Sequence, residues 1–212
     1  MRRLPVYLLL DTSGSMYGEP IEAVKNGLNV LLSALKSDPY ALETAYISII
    51  TFDSKVEQIM PLTEINAATE PSLTASGCTE MGHALSKLAE CISNEVVKTS
   101  AEQKGDWKPM VFIMTDGGPT DDVDKGIQDF KAVKTGVVVA CAAGTSADTK
   151  VLKKITENVV SLDSTDSESI KAFFKWVSAS VSSGSQKIEE SGAESSGMDD
   201  LPPPPDEINV VV

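Results

Sequence analysis

The chain has 212 residues, 42% of them hydrophobic, enough for one substantial core with an appendage but scarcely for two full domains. Its formal net charge of −13 argues against binding nucleic-acid phosphates or an anionic membrane surface, both of which need clustered Lys and Arg. Cys78, Cys91 and Cys141 are an odd set without a Cys-x-x-Cys pair, offering neither a disulfide framework nor zinc spacing and implying a reducing compartment.

In chain order, "MRRLPVYLLLD" superficially matches a signal peptide, but its apolar run meets an acid where a small-residue cleavage site is required. "VYLLL" therefore reads as a buried strand. Pro20 marks a helix start, and Ile21, Val24, Leu28, Leu31 and Leu35 recur at helical spacing. "AYISIITF", rich in β-branched residues, is expected to be the second strand, with "VEQIMPL" beside it as a short antiparallel edge strand closed by Pro61.

A polar loop leads to "ASGCTEMGHAL" and a helix carrying Met81, Leu85, Leu88 and Ile92. "PMVFIMTD" is another apolar strand, ending in a hydroxyl and an acid. A short helix over about Asp121 to Val133, the strand "GVVVACAAG", a helix near Asp148 to Ile155 and a short strand in "NVVSL" follow. Ile170, Phe173, Val177 and Val181 mark a final helix. Apolar strands alternating with helices predict a doubly wound α/β domain over residues 1–182, built on a mainly parallel central sheet flanked by helices. No apolar run approaches the roughly 18 residues that span a bilayer, so a soluble, cytoplasmic chain is expected.

From Ser183 the composition turns to Ser, Gly and Glu, and "LPPPPDEINVVV" follows. Residues 183–212 hold seven acids against Lys187 and are expected to be a disordered, acidic, Pro-rich tail. They could instead dock, because the proline run favours an extended helix and "INVVV" could add a strand to another protein's sheet. Asp206 or Glu207 could also reach a metal site on this or a neighbouring chain.

If the strands ending at Asp11 and Asp116 are parallel neighbours, the two carboxylates share one site at the carboxyl edge of the sheet. Unneutralised they would repel, so the pairing implies acid/base catalysis or a bound cation. In "DTSGS", Ser13 and Ser15 alternate with Asp11, and Gly14 lets the loop curl so that oxygens converge. Oxygen ligands with few carboxylates suit a hard divalent cation, which normally keeps water or another ligand in its remaining positions. Taken alone, the stretch could equally be a strand-end turn with a helix cap.

Together "DTSGS", "SGCTEMGHAL" and "MTDGGPTD" resemble the three loops of the metal-ion-dependent adhesion site of von Willebrand factor A domains. The resemblance covers residues 1–182. It implies metal ligands at Asp11, Ser13, Ser15, Thr79 and Asp116, and a cation whose open position accepts a carboxylate from a partner protein. Magnesium is the first expectation, with manganese or calcium as alternatives. The chain is further similar to TerY-type tellurite-resistance proteins. That resemblance implies a cytoplasmic scaffold or adaptor in bacterial stress signalling, associated with a protein kinase and a protein phosphatase. Two positions depart from the common family pattern: Cys78 stands inside the second loop where Gly is frequent, and His83 where many members carry an acid or another polar residue.

Catalysis is disfavoured by the residues. No GxSxG elbow accompanies His83, the one histidine, which reads as structural or exposed. An aspartyl-phosphate enzyme needs a second acid two residues after Asp11, where Ser13 stands. The competing function is a metal-dependent phosphoester hydrolase using the same residues. Thr79 has a plain alternative role as the cap of its helix, and the cysteines read as core or near-core fillers.

Overall fold

The computed structural model describes residues 2–211 and forms a single seven-stranded sheet with helices on both faces. Strand β1 (Leu4–Asp11) is followed by a 3-10 turn at Gly14–Met16 and then by α1 (Glu19–Ser37), α2 (Pro39–Thr44), β2 (Ala45–Phe52) and β3 (Val56–Glu64). Next come α3 (Met81–Glu95), β4 (Met110–Thr115), α4 (Val123–Lys131), β5 (Val138–Ala143), α5 (Thr149–Ile155), β6 (Val159–Leu162), α6 (Ser167–Ser191) and β7 (Asn209–Val210). Spatially the strands run β3-β2-β1-β4-β5-β6-β7. The expected α/β architecture is therefore present, with β2, β1, β4, β5 and β6 parallel.

Alternation along β1 shows why the sheet needs two covers. Val6, Leu8 and Leu10 enter a core with Leu28 and Leu31 of α1 and Phe173 and Phe174 of α6. Tyr7 and Leu9 face the other way, into a core with Leu85 and Leu88 of α3 and Ile127 and Phe130 of α4. Successive strand residues point to opposite faces, so a strand apolar at every position is buried twice.

The chain passes from β1 outward to β2 and β3, then returns to the other side of β1 for β4. This reversal opens a crevice beyond the carboxyl ends of β1 and β4, where open α/β sheets bind ligands.

Several local expectations are corrected. Pro61 lies within β3 instead of closing it; as an edge strand β3 tolerates the missing N–H, and the register against β2 shifts between Ile47 and Ile50. Helix α2 was not anticipated, although Asp38 accepts from the Ala41 amide and Pro39 opens the first turn. Cys91 and Cys141 are buried, but Cys78 is exposed.

The expected division at residues 182/183 also differs from the structure. Helix α6 continues to Ser191 and ends at Gly192, whose φ of 63° is the left-handed conformation that glycine adopts freely. Beyond it Leu201 and Ile208 are buried, and the Trp176 indole donates to the Pro202 carbonyl at 2.9 Å. Asn209–Val210 pairs antiparallel with β6, giving the sheet a second antiparallel edge in addition to β3. The strand anticipated in "INVVV" thus joins this chain's own sheet, and Glu207 lies against α6. Low local hydrophobicity suggested disorder; the compensating apolar surface is on α6, distant in sequence.

Candidate metal centre

Register places the first two acids together. Leu10 pairs with Met114 across β1 and β4, so Asp11 and Thr115 stand side by side and Asp116 follows one residue on. Asp11 is 1% exposed. One carboxylate oxygen accepts from the Ser13 amide at 2.8 Å and the other from the Thr115 hydroxyl at 2.6 Å. The Ser13 and Ser15 hydroxyls are 3.1 Å apart, and the Ser15 hydroxyl donates to Asp116 Oδ1 at 2.7 Å. Asp11, Ser13, Ser15 and Asp116 thus meet at one strand-end crevice.

Backbone hydrogen bonds join the second loop to the first. The Ser76 amide donates to the Thr12 carbonyl and the Gly14 amide to the Gly77 carbonyl. Gly77 has φ +72°, and a Cβ there would approach the Ser54 hydroxyl to 2.4 Å, so this turn requires glycine. The third loop holds Thr79 reciprocally: the Thr79 amide donates to the Thr120 hydroxyl, and the Thr120 amide to the Thr79 carbonyl.

Thr79 does not cap its helix. Glu80 occupies the N-cap position without a side-chain cap bond, while Asp121 accepts from the Gly82 and His83 amides. Capping supplied from the third loop leaves the Thr79 side chain uncommitted to that task. Thr79 and Asp116 are both buried. Loop three is also pressed against α3, where a Cβ at Gly82 would meet the Asp122 carbonyl at 2.2 Å.

Burial pushes the Asp11 carboxyl above its ordinary range; hydrogen bonds from Ser13 and Thr115 oppose this, and the nearby Asp116 charge adds to it. Among the described residues neither Asp11 nor Asp116 forms an ion pair with a basic side chain. Two buried carboxylates with converging hydroxyls and no basic partner make a hard-oxygen donor set suited to a divalent cation. No group of three or more His, Cys, Asp or Glu side chains is arranged to hold a metal among the described residues, so any such centre depends on hydroxyl ligands.

His83 is exposed, with Nδ1 2.8 Å from Glu80 Oε2. Sequence reasoning assigned no role to Thr115, Thr120 or Asp121. The first was visible as the hydroxyl before Asp116; the other two do their work through contacts distant in sequence.

The chain matches the von Willebrand factor type A domain over residues 6–176. An uncharacterized protein of Synechocystis sp. is 31% identical over 123 residues, covering 55% of this chain and 26% of that protein. Human inter-alpha-trypsin inhibitor heavy chain H6 is 24% identical over 165 residues, covering 71% of this chain and 12% of that one. The chain therefore spans only a minor part of the length of either relative. Among solved structures, a von Willebrand factor type A protein from Catenulispora acidiphila aligns with a TM-score of 0.67 at 19% identity, covering 86% of this chain and 43% of that one. Proximal thread matrix protein 1 from the mussel byssus, in a form with a zinc-occupied adhesion-site motif, aligns at 0.57 and 18% identity, covering 84% and 46%. The chain belongs to the von Willebrand factor type A domain family.

Proposed function

We propose that the chain is a metal-dependent protein-interaction module and not an enzyme. Asp11, Ser13, Ser15, Thr79 and Asp116 would hold a divalent cation, magnesium first, with manganese or calcium as alternatives. Such a cation, when bound, supplies an electrophilic centre for a partner protein's Asp or Glu. The observation carrying this reading is the convergence of two buried acids and two serine hydroxyls with no basic partner among the described residues. The zinc-occupied motif of the mussel protein, which shares this fold, supports a divalent ion as the ligand.

This chain's residues supply positioning. Thr115 and the Ser13 amide orient Asp11, Asp121 anchors the start of α3, and Thr120 anchors Thr79. Tyr17, 79% exposed just after the serine loop, offers a partner an aromatic surface.

The narrower assignment, a cytoplasmic adaptor in tellurite and stress resistance working with a protein kinase and a protein phosphatase, rests on the sequence resemblance. No helix among the described residues is long and apolar enough to cross a membrane. The test immobilises the chain and passes cytosolic extract over it with magnesium or chelator, for wild type, Ser13→Ala and a chain ending at Ser191. Kinase or phosphatase components retained with magnesium and lost with chelator or Ser13→Ala support the assignment. Retention independent of both refutes it, and hydrolysis of a generic phosphate ester abolished by Asp11→Ala would establish the hydrolase instead.

A further inference from the structure

The end of the sheet opposite the crevice carries a second surface. A cleft of about 600 Å³ opens where α3 and α4 finish and the segment leading into β4 crosses beneath them. Ile92, Val96, Val133 and Pro109 line it, and Val97 beside them is 40% exposed, one of few exposed large hydrophobic side chains among the described residues. Lys98, Lys108 and Lys134 also line it.

Charge gathers here against the trend of the molecule. In a chain of net charge −13, Arg2, Arg3, Lys98, Lys104, Lys108 and Lys134 all lie in segments that lead into β1, β4 or β5. Arg3 is paired with Asp106, and Lys108 with Glu194. Arg2 stacks 3.4 Å from the centre of the Trp107 ring and donates to the Gly105 and Asp106 carbonyls, with no carboxylate partner among the described residues. Lys98 and Lys134 have no ion-pair partner among the described residues. Lys131, in the last turn of α4, already offsets the carbonyl end of that helix, so Lys134 beyond it is not needed for that purpose.

We infer that this cleft docks an acidic segment of a partner protein, with an apolar side chain seated between α3 and α4 and flanking carboxylates on Lys98 and Lys134. An apolar slot flanked by the two unpaired lysines, with its one lining carboxylate, Asp106, already held by Arg3, selects for that combination: burial supplies affinity, and charge supplies orientation and a faster encounter. Basic or uncharged apolar segments lack the second half. The cleft lies at the amino ends of the parallel strands and the metal centre at their carboxyl ends, so both can be occupied at once. One chain could then bridge two proteins. The inference does not depend on the metal centre, and its test is run in chelator to keep the two separate.

The probe is a fluorescein-labelled synthetic peptide with two leucines one helical turn apart and glutamates between and around them. Its anisotropy is followed as the full chain is added. Two control peptides replace the leucines by serine or the glutamates by lysine. Saturable binding of the acidic leucine peptide is expected, weakened about tenfold or more by either control change and by the double variant Lys98→Glu, Lys134→Glu. Both lysines are exposed and lie outside helices and strands, so the variant should keep the wild-type circular dichroism spectrum. No saturable binding overturns the inference. So does equal binding of the serine peptide, or undiminished binding by the double variant.

Discussion

Replacing Thr115 by valine tests whether the site is held ready before any ligand arrives. Thr115 is fully buried, and its hydroxyl donates at 2.6 Å to a carboxylate that is 1% exposed. Valine keeps the shape and removes the donor, leaving Asp11 Oδ2 without this partner in a place water scarcely reaches. Hydrogen bonds to charged groups contribute about 1.5–3 kcal/mol, so the chelator-treated variant should lose about 2 kcal/mol. For a domain of this size that lowers the melting temperature by about 4–8 °C. Since partners that orient a ligand govern metal affinity by about 10- to 100-fold, cation binding should weaken within that range. Urea unfolding in chelator and calorimetric cation titration measure the two effects, and Thr115→Ser should restore most of both. A Thr115→Val chain as stable as wild type, with unchanged cation affinity, would refute the pinning of Asp11.

Other consequences are equally concrete. The folded state holds the Asp11 carboxyl above its ordinary range, chiefly through burial, so its ionised form opposes folding at neutral pH and that opposition fades as pH falls. Asp11→Asn should therefore melt at higher temperature than wild type in chelator at neutral pH, yet gain nothing from added cation; a lower melting temperature would contradict the assignment. A cation at a hundred times its dissociation constant should stabilise wild type by about 2.7 kcal/mol, about 5–11 °C in a thermal melt, and leave Ser13→Ala unmoved. A Cβ at Gly126 would lie 2.1 Å from the Gly82 carbonyl, so Gly126→Ala should force α3 and α4 apart. The expected cost is about 1–3 kcal/mol in urea unfolding, with weaker cation binding because only Glu80 separates Thr79 from α3. Asp200 is held down at about 2, first by its hydrogen bond to Lys187 and next by the Ser196 amide. Its stabilisation is present above the ordinary carboxylate range and lost as pH falls from about 4 toward 2. Protection of the Val211 amide, which donates to the Val159 carbonyl, should fall across that window in wild type and already be reduced in Lys187→Ala.

What was legible in the sequence follows from where the information lies. β1, β2 and β4 are buried on both faces and show themselves as continuous apolar runs; α1 and α3 show themselves by spacing. Asp11, Ser13, Ser15 and Asp116 were readable because two parallel strands ending in acids must present them at one edge, and the structure brings these four together. Thr79 was reached through resemblance, and its freedom from capping was not readable, because Asp121 caps α3 from 39 residues away. The segment after Ser183 misled for a related reason. Leu201 and Ile208 look like parts of a solvated tail until α6 supplies the surface that buries them, and a strand of two residues has no periodicity to detect. Helix α2 was a different kind of miss: Asp38 followed by Pro39 is a helix start that could have been read.

Metal-dependent recognition requires that the strand-end oxygens form a cation site. Calorimetric titration of manganese into chelator-stripped wild type, Ser13→Ala and Asp116→Ala tests it most directly. One site per wild-type chain and none in either variant is the expected result. Absence of binding in wild type, or equal binding in all three, would contradict it.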